Sequence, residues 1–329
     1  MNKMEGGGLM KAAVVYESGD SSHLVLENVP KPTVKPGWSL IKVKGFGINR
    51  SEIITRNGGS PSVKFPRVLG IEAVGEIAET TDSKRLPKGQ RVVTVQGGMG
   101  REYNGSYAEF VLTRNKNIYP VATQLSWPEL AAVPETFFTA YGSLLNLKLS
   151  THDKLLIRGG TSGVGVATAK LAKAMQPTVQ ICATTRSMKK MNQLLAVGVD
   201  TVVEDRDGQL ATDEGFDKII EMTGADTLVD SLSYLNRGGI LCLTGALNGV
   251  WTIPNFEPFE GVPSGRYLTT FSSDVDISAR TVRDVFKLID AQKIDVKPTK
   301  IFDLSQVGKA QDALDQRDSF GKVVVMTKV

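Results

Sequence analysis

Histidine and cysteine are scarce in this chain of 329 residues, which has two of each. His23 and His152 lie far from each other and from Cys182 and Cys242, so the four cannot form a local zinc-ligand cluster. No Ser-His-Asp arrangement can be read either. Both histidines fall in polar turns and read as solvated. Both cysteines sit inside apolar runs and read as buried strand residues of a reducing compartment, which points to the cytoplasm. No run approaches 18 consecutive apolar residues, so no membrane span is expected. Residues 1–10 have no apolar segment and read as a floppy leader, not a secretory signal. Charge of one sign is also missing. Lys and Arg total 39 against 35 Asp and Glu, and no basic cluster exceeds Lys189-Lys190, which argues against nucleic acid as a partner.

What is present fits a folded enzyme-sized chain. The length suggests about two domains, and 41% apolar residues suffice for ordinary cores. The first third reads as β. Lys11 to Tyr16, Leu24 to Val29, Trp38 to Lys44, Gly70 to Ala78, Gln90 to Val95 and Ser106 to Leu112 are short β-type runs. Pro and Gly punctuate them, which predicts a small barrel or two packed sheets. Ser126 with Pro128 and Glu129 predicts a helix start, and Pro134 a break between two helices.

From Asp153 strands and helices alternate. Lys154 to Arg158 is a first strand, Thr178 to Ala183 a second, Thr201 to Glu204 a third, Lys218 to Glu221 a fourth, Ile240 to Thr244 a fifth and Tyr267 to Phe271 a sixth. Between them come a helix that follows the stretch Gly159 to Gly165 and runs to about Met175, one after Ser187 that Gly198 ends, and one capped by Asp226. This alternation predicts a mostly parallel sheet with helices on both faces.

The most informative segment is Gly159-Gly160-Thr161-Ser162-Gly163-Val164-Gly165, between the first strand and its helix. A pyrophosphate needs bare backbone N–H groups at a helix start, so side chains must be absent there. In Gly-x-Gly-x-x-Gly terms Gly160 is first, Ser162 replaces the second glycine, and Gly165 is third. About 20 residues on, a binder of NAD places Asp or Glu to hold the ribose 2′-hydroxyl. Here the second strand ends in Thr184-Thr185-Arg186, with Lys189 and Lys190 behind and no carboxylate. Thr185, Arg186 and Lys190 suit a 2′-phosphate, which favours NADPH.

Taken together, these features resemble the medium-chain dehydrogenase/reductase superfamily, and within it the zinc-free quinone oxidoreductase (zeta-crystallin-like) branch. Its signposts are Gly45 to Asn49, Leu69 to Gly75, Gly105 to Val111, Thr139-Ala140-Tyr141, the glycine loop, and Gly321 to Val325. The resemblance implies an α/β chain: a β-rich GroES-like catalytic domain (1–125 and 293–329) plus a Rossmann-type doubly wound parallel sheet that binds NADP(H) (126–292).

Zinc alcohol dehydrogenases of the superfamily carry Cys where Asn49 stands, His where Ile71 stands, and a third ligand near Glu135. At most one ligand-capable carboxylate survives here, so the resemblance implies no metal and a hydride acceptor that is already electrophilic. The implied function is NADPH-dependent reduction of a quinone or an α,β-unsaturated carbonyl compound. The rivals are a zinc-free alcohol or aldehyde dehydrogenase-like oxidoreductase and a non-catalytic NADPH-binding regulator.

The resemblance also assigns residues. Asn49 would bond the substrate carbonyl, and Thr139 would pack by the nicotinamide. Thr223 would lie near the adenosine ribose, and Gly245 and Ala246 near the nicotinamide ribose. Phe271 and Ser272 would lie near the nicotinamide or at the edge of a homodimer. Arg50 and Glu52 would form a polar pocket rim. Tyr103 and Tyr141 are acid candidates by neighbourhood, and neither is assigned a catalytic role.

Overall fold

The computed structural model describes residues 8–316 and 319–328. Most of the expected leader, residues 1–7, lies outside the described residues, and the first strand already begins at Leu9. The chain divides into two compact units. One runs to Glu135, resumes from Val296 and takes up the chain again from Lys322; the other is Thr136–Asp295 with a short stretch ending at Gly321.

The first unit is built on antiparallel pairing. Trp38–Gly47 is its central strand. It pairs with Glu72–Thr80, Phe110–Arg114 and Val323–Met326, so three distant parts of the chain meet on one strand. A smaller sheet joins Leu9–Val15 to Val25–Pro30 and Arg67–Val68. Inward-facing Val15, Ile41, Phe46, Ile77, Tyr107 and Val325 share one core. The strand expected at Ser106 to Leu112 is shifted to Phe110–Arg114. A short helix, Arg50–Arg56, was hidden in the sequence because its seven residues complete barely two turns of apolar pattern.

The second unit is a seven-stranded sheet. Its order is Gln209–Leu210, Thr201–Arg206, Gln180–Thr185, Lys154–Arg158, Phe216–Glu221, Leu235–Leu243, Tyr267–Thr270. All neighbours are parallel except the first, a small antiparallel hairpin absent from the sequence reading. The doubly wound parallel sheet is therefore present. Its strand order reverses between Lys154–Arg158 and Phe216–Glu221, the switch point where such sheets bind ligands at their carboxyl ends.

The helix signals are mostly local and mostly held. Ser126 and Glu129 form a capping box before Trp127–Ala131, and Pro134 opens the separate helix Pro134–Asn146. Ser278 caps Ala279–Gln292, its hydroxyl accepting from the Thr281 amide at 3.2 Å. Asp226 does not cap: it lies inside the 3-10 turn Ala225–Thr227 that precedes Leu228–Ser233, and its carboxylate accepts from Asn248 instead. Cys182 and Cys242 are buried and unpaired with each other. No described helix is long and apolar enough to cross a membrane.

Candidate active site

The glycine loop enters the helix Gly163–Met175 with Ser162 as its N-cap. Ser162 Oγ accepts from the Gly165 amide at 3.0 Å and donates to the Gly159 carbonyl at 2.7 Å. A hydroxyl at the second motif position therefore closes the loop on itself. The Gly163 and Val164 amides open the helix and have no partner within it, as at any helix start. Gly159 has φ +92°, which a side chain would strain. A Cβ on Gly160 would stand 2.8 Å from Ala183 Cβ, and one on Gly165 would stand 2.5 Å from the Gly159 carbonyl oxygen. Bare backbone is thus required where the loop crosses the second strand and where the helix packs on the loop. The cradle fits a pyrophosphate held by backbone N–H groups.

The other expected cofactor residues of this unit gather at the same carboxyl end of the sheet. Thr185 ends the second strand, and its hydroxyl donates to the Ser187 carbonyl at 3.0 Å and accepts from the Ser187 amide at 3.1 Å. Arg186 is exposed, whereas Lys190 is buried and its Nζ donates to the Ser319 carbonyl at 2.8 Å. Thr223 follows the fourth parallel strand, its amide donating to Glu221 Oε1 at 2.7 Å. Gly245 and Ala246 follow the fifth, Phe271 and Ser272 the sixth. The Phe271 ring lies where a Cβ on Gly142 would be, so glycine there lets the helix and ring meet. Thr139 is buried one turn before Ser143, whose hydroxyl meets Thr244 Oγ1 at 3.0 Å at the end of the fifth strand.

In the β-rich unit Asn49 is half-buried at the end of the central strand. Lys322 Nζ donates to Asn49 Oδ1 at 2.7 Å and to Glu72 Oε1 at 2.6 Å. Asn49 Nδ2 donates to the same Glu72 oxygen at 2.8 Å, and Glu72 Oε2 accepts from the Glu135 amide at 3.0 Å. Gly47 makes room for this meeting, because a Cβ there would overlap both Lys322 Cε and Glu72 Oε1. Below it lies Glu52. Its carboxylate accepts from the Asn49 and Ile71 amides, each at 2.8 Å, and from the Tyr107 hydroxyl at 2.7 Å. Gln311 Nε2 donates to the Tyr107 oxygen at 3.1 Å, and Arg56 donates to Gln311.

Glu52 is therefore no pocket rim; it is fully buried, and burial pushes its carboxyl up to about 7. Arg50 is part-exposed and pairs with Asp315. The Tyr103 hydroxyl lies 2.8 Å from Thr113 Oγ1 and its ring packs edge-to-face with Trp38, so Tyr107 is the tyrosine that joins the Asn49 cluster. Lys322 and Tyr107 lie inside the motifs Gly321 to Val325 and Gly105 to Val111, but nothing in their spacing singles them out.

These groups do not suit zinc. The resemblance sets Asn49, Ile71 and a residue near Glu135 at the ligand positions, and an ammonium is bonded to the first of them. Structural and catalytic zinc sites use Cys, His and carboxylate donors, and a neighbouring cation opposes a second one. Among the described residues no three His, Cys, Asp or Glu side chains are placed to hold a metal ion. Two surface depressions, of about 300 and 430 Å3, lie elsewhere: one beside Lys42, Glu76 and Lys88, the other against the amino ends of strands Lys154–Arg158 and Gln180–Thr185.

Comparison with known proteins places this geometry. Residues 35–123 match the alcohol dehydrogenase GroES-like domain, and residues 197–325 match the zinc-binding dehydrogenase family. The quinone oxidoreductase of Mus musculus is 30% identical over 256 residues, covering 73% of this chain and 74% of that protein. The acryloyl-coenzyme A reductase of Metallosphaera sedula is 25% identical over 346 residues, 97% of this chain and all of that one. A mycobacterial structure solved with NADPH shares the fold, with a TM-score of 0.84 at 24% identity over 96% of this chain and 99% of that one. A GroES-like domain and a Rossmann-like sheet, with these relatives, identify the chain as an oxidoreductase that belongs to the medium-chain dehydrogenase/reductase superfamily, in its quinone oxidoreductase branch.

Proposed function

We propose that the chain is a zinc-independent, NADPH-dependent reductase of quinones or α,β-unsaturated carbonyl compounds. The observation that carries this reading is the donor set at Asn49, an amide held by an ammonium and a carboxylate in place of metal ligands. Removing hydride from an alcohol calls for a Lewis acid or a base at its hydroxyl. A quinone or enone asks only for a donor at the oxygen that gains charge. The relatives named for quinones and for an unsaturated thioester support this acceptor class.

In this reading residues 126–292 hold the cofactor, and residues 1–125 with 293–329 hold the acceptor. Gly160, Ser162, Gly163, Val164 and Gly165 take the pyrophosphate; Thr185, Arg186 and Lys190 take the 2′-phosphate. Thr223, Gly245 and Ala246 take the two riboses, with Thr139, Phe271 and Ser272 at the nicotinamide. Bound NADPH supplies the hydride. Asn49 donates its amide N–H to the acceptor oxygen, and solvent protonates the reduced product. The exposed edge strand Tyr267–Thr270, with Tyr267 60% exposed, is the surface through which two copies would pair. The buried, unpaired cysteines suit the cytoplasm.

Stopped-flow oxidation of NADPH, with and without a quinone and a simple enone, tests the reading after chelator treatment. Chelator-insensitive turnover is expected. Tight NADPH binding without turnover on either acceptor would favour a binding role. Cofactor choice has its own test. Arg186→Ala is expected to weaken NADPH about 10- to 100-fold, the worth of a lost charge-assisted bond, and to leave NADH within twofold. Equal loss for both cofactors would remove Arg186 from the 2′-phosphate site.

A further inference from the structure

We propose that Lys322 and Glu72 are positioning residues that lock the Asn49 amide in the one orientation that presents an N–H to a carbonyl oxygen. The inference rests on the acceptor reading above and names what selects the acceptor. An asparagine amide can sit two ways, and its partners decide which. Lys322 can only donate, so it requires Oδ1 on its side. Glu72, paired with that ammonium, accepts and requires Nδ2 on its own side. Flipping the amide would set donor against donor and acceptor against acceptor at once.

One Nδ2 proton is committed to Glu72, and the second has no partner among the described residues. It is the group offered to a ligand. Donation from Lys322 to Oδ1 also polarises the amide, which strengthens donation at Nδ2. The same N–H then meets the charge that develops on a quinone or enolate oxygen as hydride arrives. Gly47 is an independent sign that the arrangement is built. Any side chain at that position would push Lys322 and Glu72 apart.

The test uses Lys322→Met, Lys322→Arg and the double variant Lys322→Met/Glu72→Gln in the full chain. Two readouts are taken. The first is kcat and KM for quinone or enone, with NADPH affinity measured separately by fluorescence. The second needs no turnover: hydrogen exchange of the Asn49 side-chain amide by 15N NMR, its signal identified by its loss in Asn49→Ser. In Lys322→Met, kcat/KM for the acceptor is expected to fall at least tenfold with NADPH affinity within twofold. Asn49 amide exchange should speed at least tenfold. Lys322→Arg should recover most of both. The double variant removes the unpaired carboxylate, so its thermal midpoint should return toward wild type while kcat/KM stays low.

Recovery of kcat/KM along with stability in the double variant would show a purely structural role and overturn the proposal. Unchanged amide exchange in Lys322→Met would overturn it too. A wild-type chain that reduces neither acceptor, but whose Asn49 amide loosens in Lys322→Met, would sink the acceptor reading and leave the positioning role standing.

Discussion

Replacing Arg158 with methionine is expected to destabilise the nucleotide-binding unit by about 3–5 kcal/mol, the cost of stripping one partner from a buried ionic network. Arg158 ends the first parallel strand with its side chain wholly buried. Nε donates to Asp205 Oδ2 at 2.8 Å and Nη2 to Asp205 Oδ1 at 3.3 Å, a bidentate fork. Nη1 reaches Asp230 at 2.7 Å and Ser231 Oγ at 2.8 Å, and Nη2 reaches the Gly208 carbonyl at 2.7 Å. Glu221 Oε2 lies 3.8 Å away and is as buried as the guanidinium itself. One positive charge thus ties together the ends of three strands and the start of a helix. Without it, the Asp205 and Glu221 side chains lose the buried cation they share, in an interior where charges are poorly screened.

Lysine should recover only part of the loss, because a point ammonium cannot span the same acceptors. Amide exchange in Lys154–Arg158 and Phe216–Glu221 reads the effect directly. It should speed by about two to three and a half orders of magnitude if these strands exchange by opening of the unit. Exchange unchanged within threefold would mean the network contributes rigidity without stability. Gly159 follows Arg158 directly, so the variant should also loosen the pyrophosphate loop.

The Arg158 network also shows where sequence reading stops. Alternation of strands and helices, the loop Gly159–Gly165, the cap at Ser126 and the glycine at 198 are local signals, carried within a few residues, and the fold followed from them. Gly198 sits at φ +97° just past its helix, as a C′ glycine should. Arg158 gave no such signal. It closes an apolar run, and its acidic partners lie 47 and 72 positions away. The same holds at Asn49. The residue was found because its place in a motif is local, but Lys322 is 273 positions off and Tyr107 is 55 positions from Glu52. Glu52 misled for a related reason: a carboxylate beside Arg50 looks like surface, and only the pairing of Trp38–Gly47 with Glu72–Thr80 brings the donors that bury it. Long-range polar pairing leaves no periodicity behind, so the electrostatics of both candidate sites had to come from the fold.

The stability of the β-rich unit is expected to fall as pH rises from 5 to 8, with Glu52 as a principal cause. Its carboxyl titrates near 4.5 when exposed and near 7 in the fold, raised first by burial and further by the neighbouring Glu72 carboxylate. Donation from Tyr107 and from the Ile71 and Asn49 amides works the other way without cancelling burial. Between those values the folded chain binds a proton that the unfolded chain has released. The resulting stability is complete below about 4.5 and is lost as pH passes about 7, roughly 3 kcal/mol in all. Glu52→Gln removes the titration, so its stability should vary less between pH 5 and 8 by about that amount, whatever the absolute cost of an amide facing three donors. Glu221, also raised by burial, adds a fall of the same sign in the other unit, which is why the difference between variant and parent is the quantity to read. Urea unfolding in a Trp251→Phe background, followed through Trp38 and Trp127, confines the signal to the β-rich unit. A parallel pH dependence in Glu52→Gln and its parent would mean that the three donors hold Glu52 ionised throughout, and that hydrogen bonding outweighs burial at the floor of the Asn49 site.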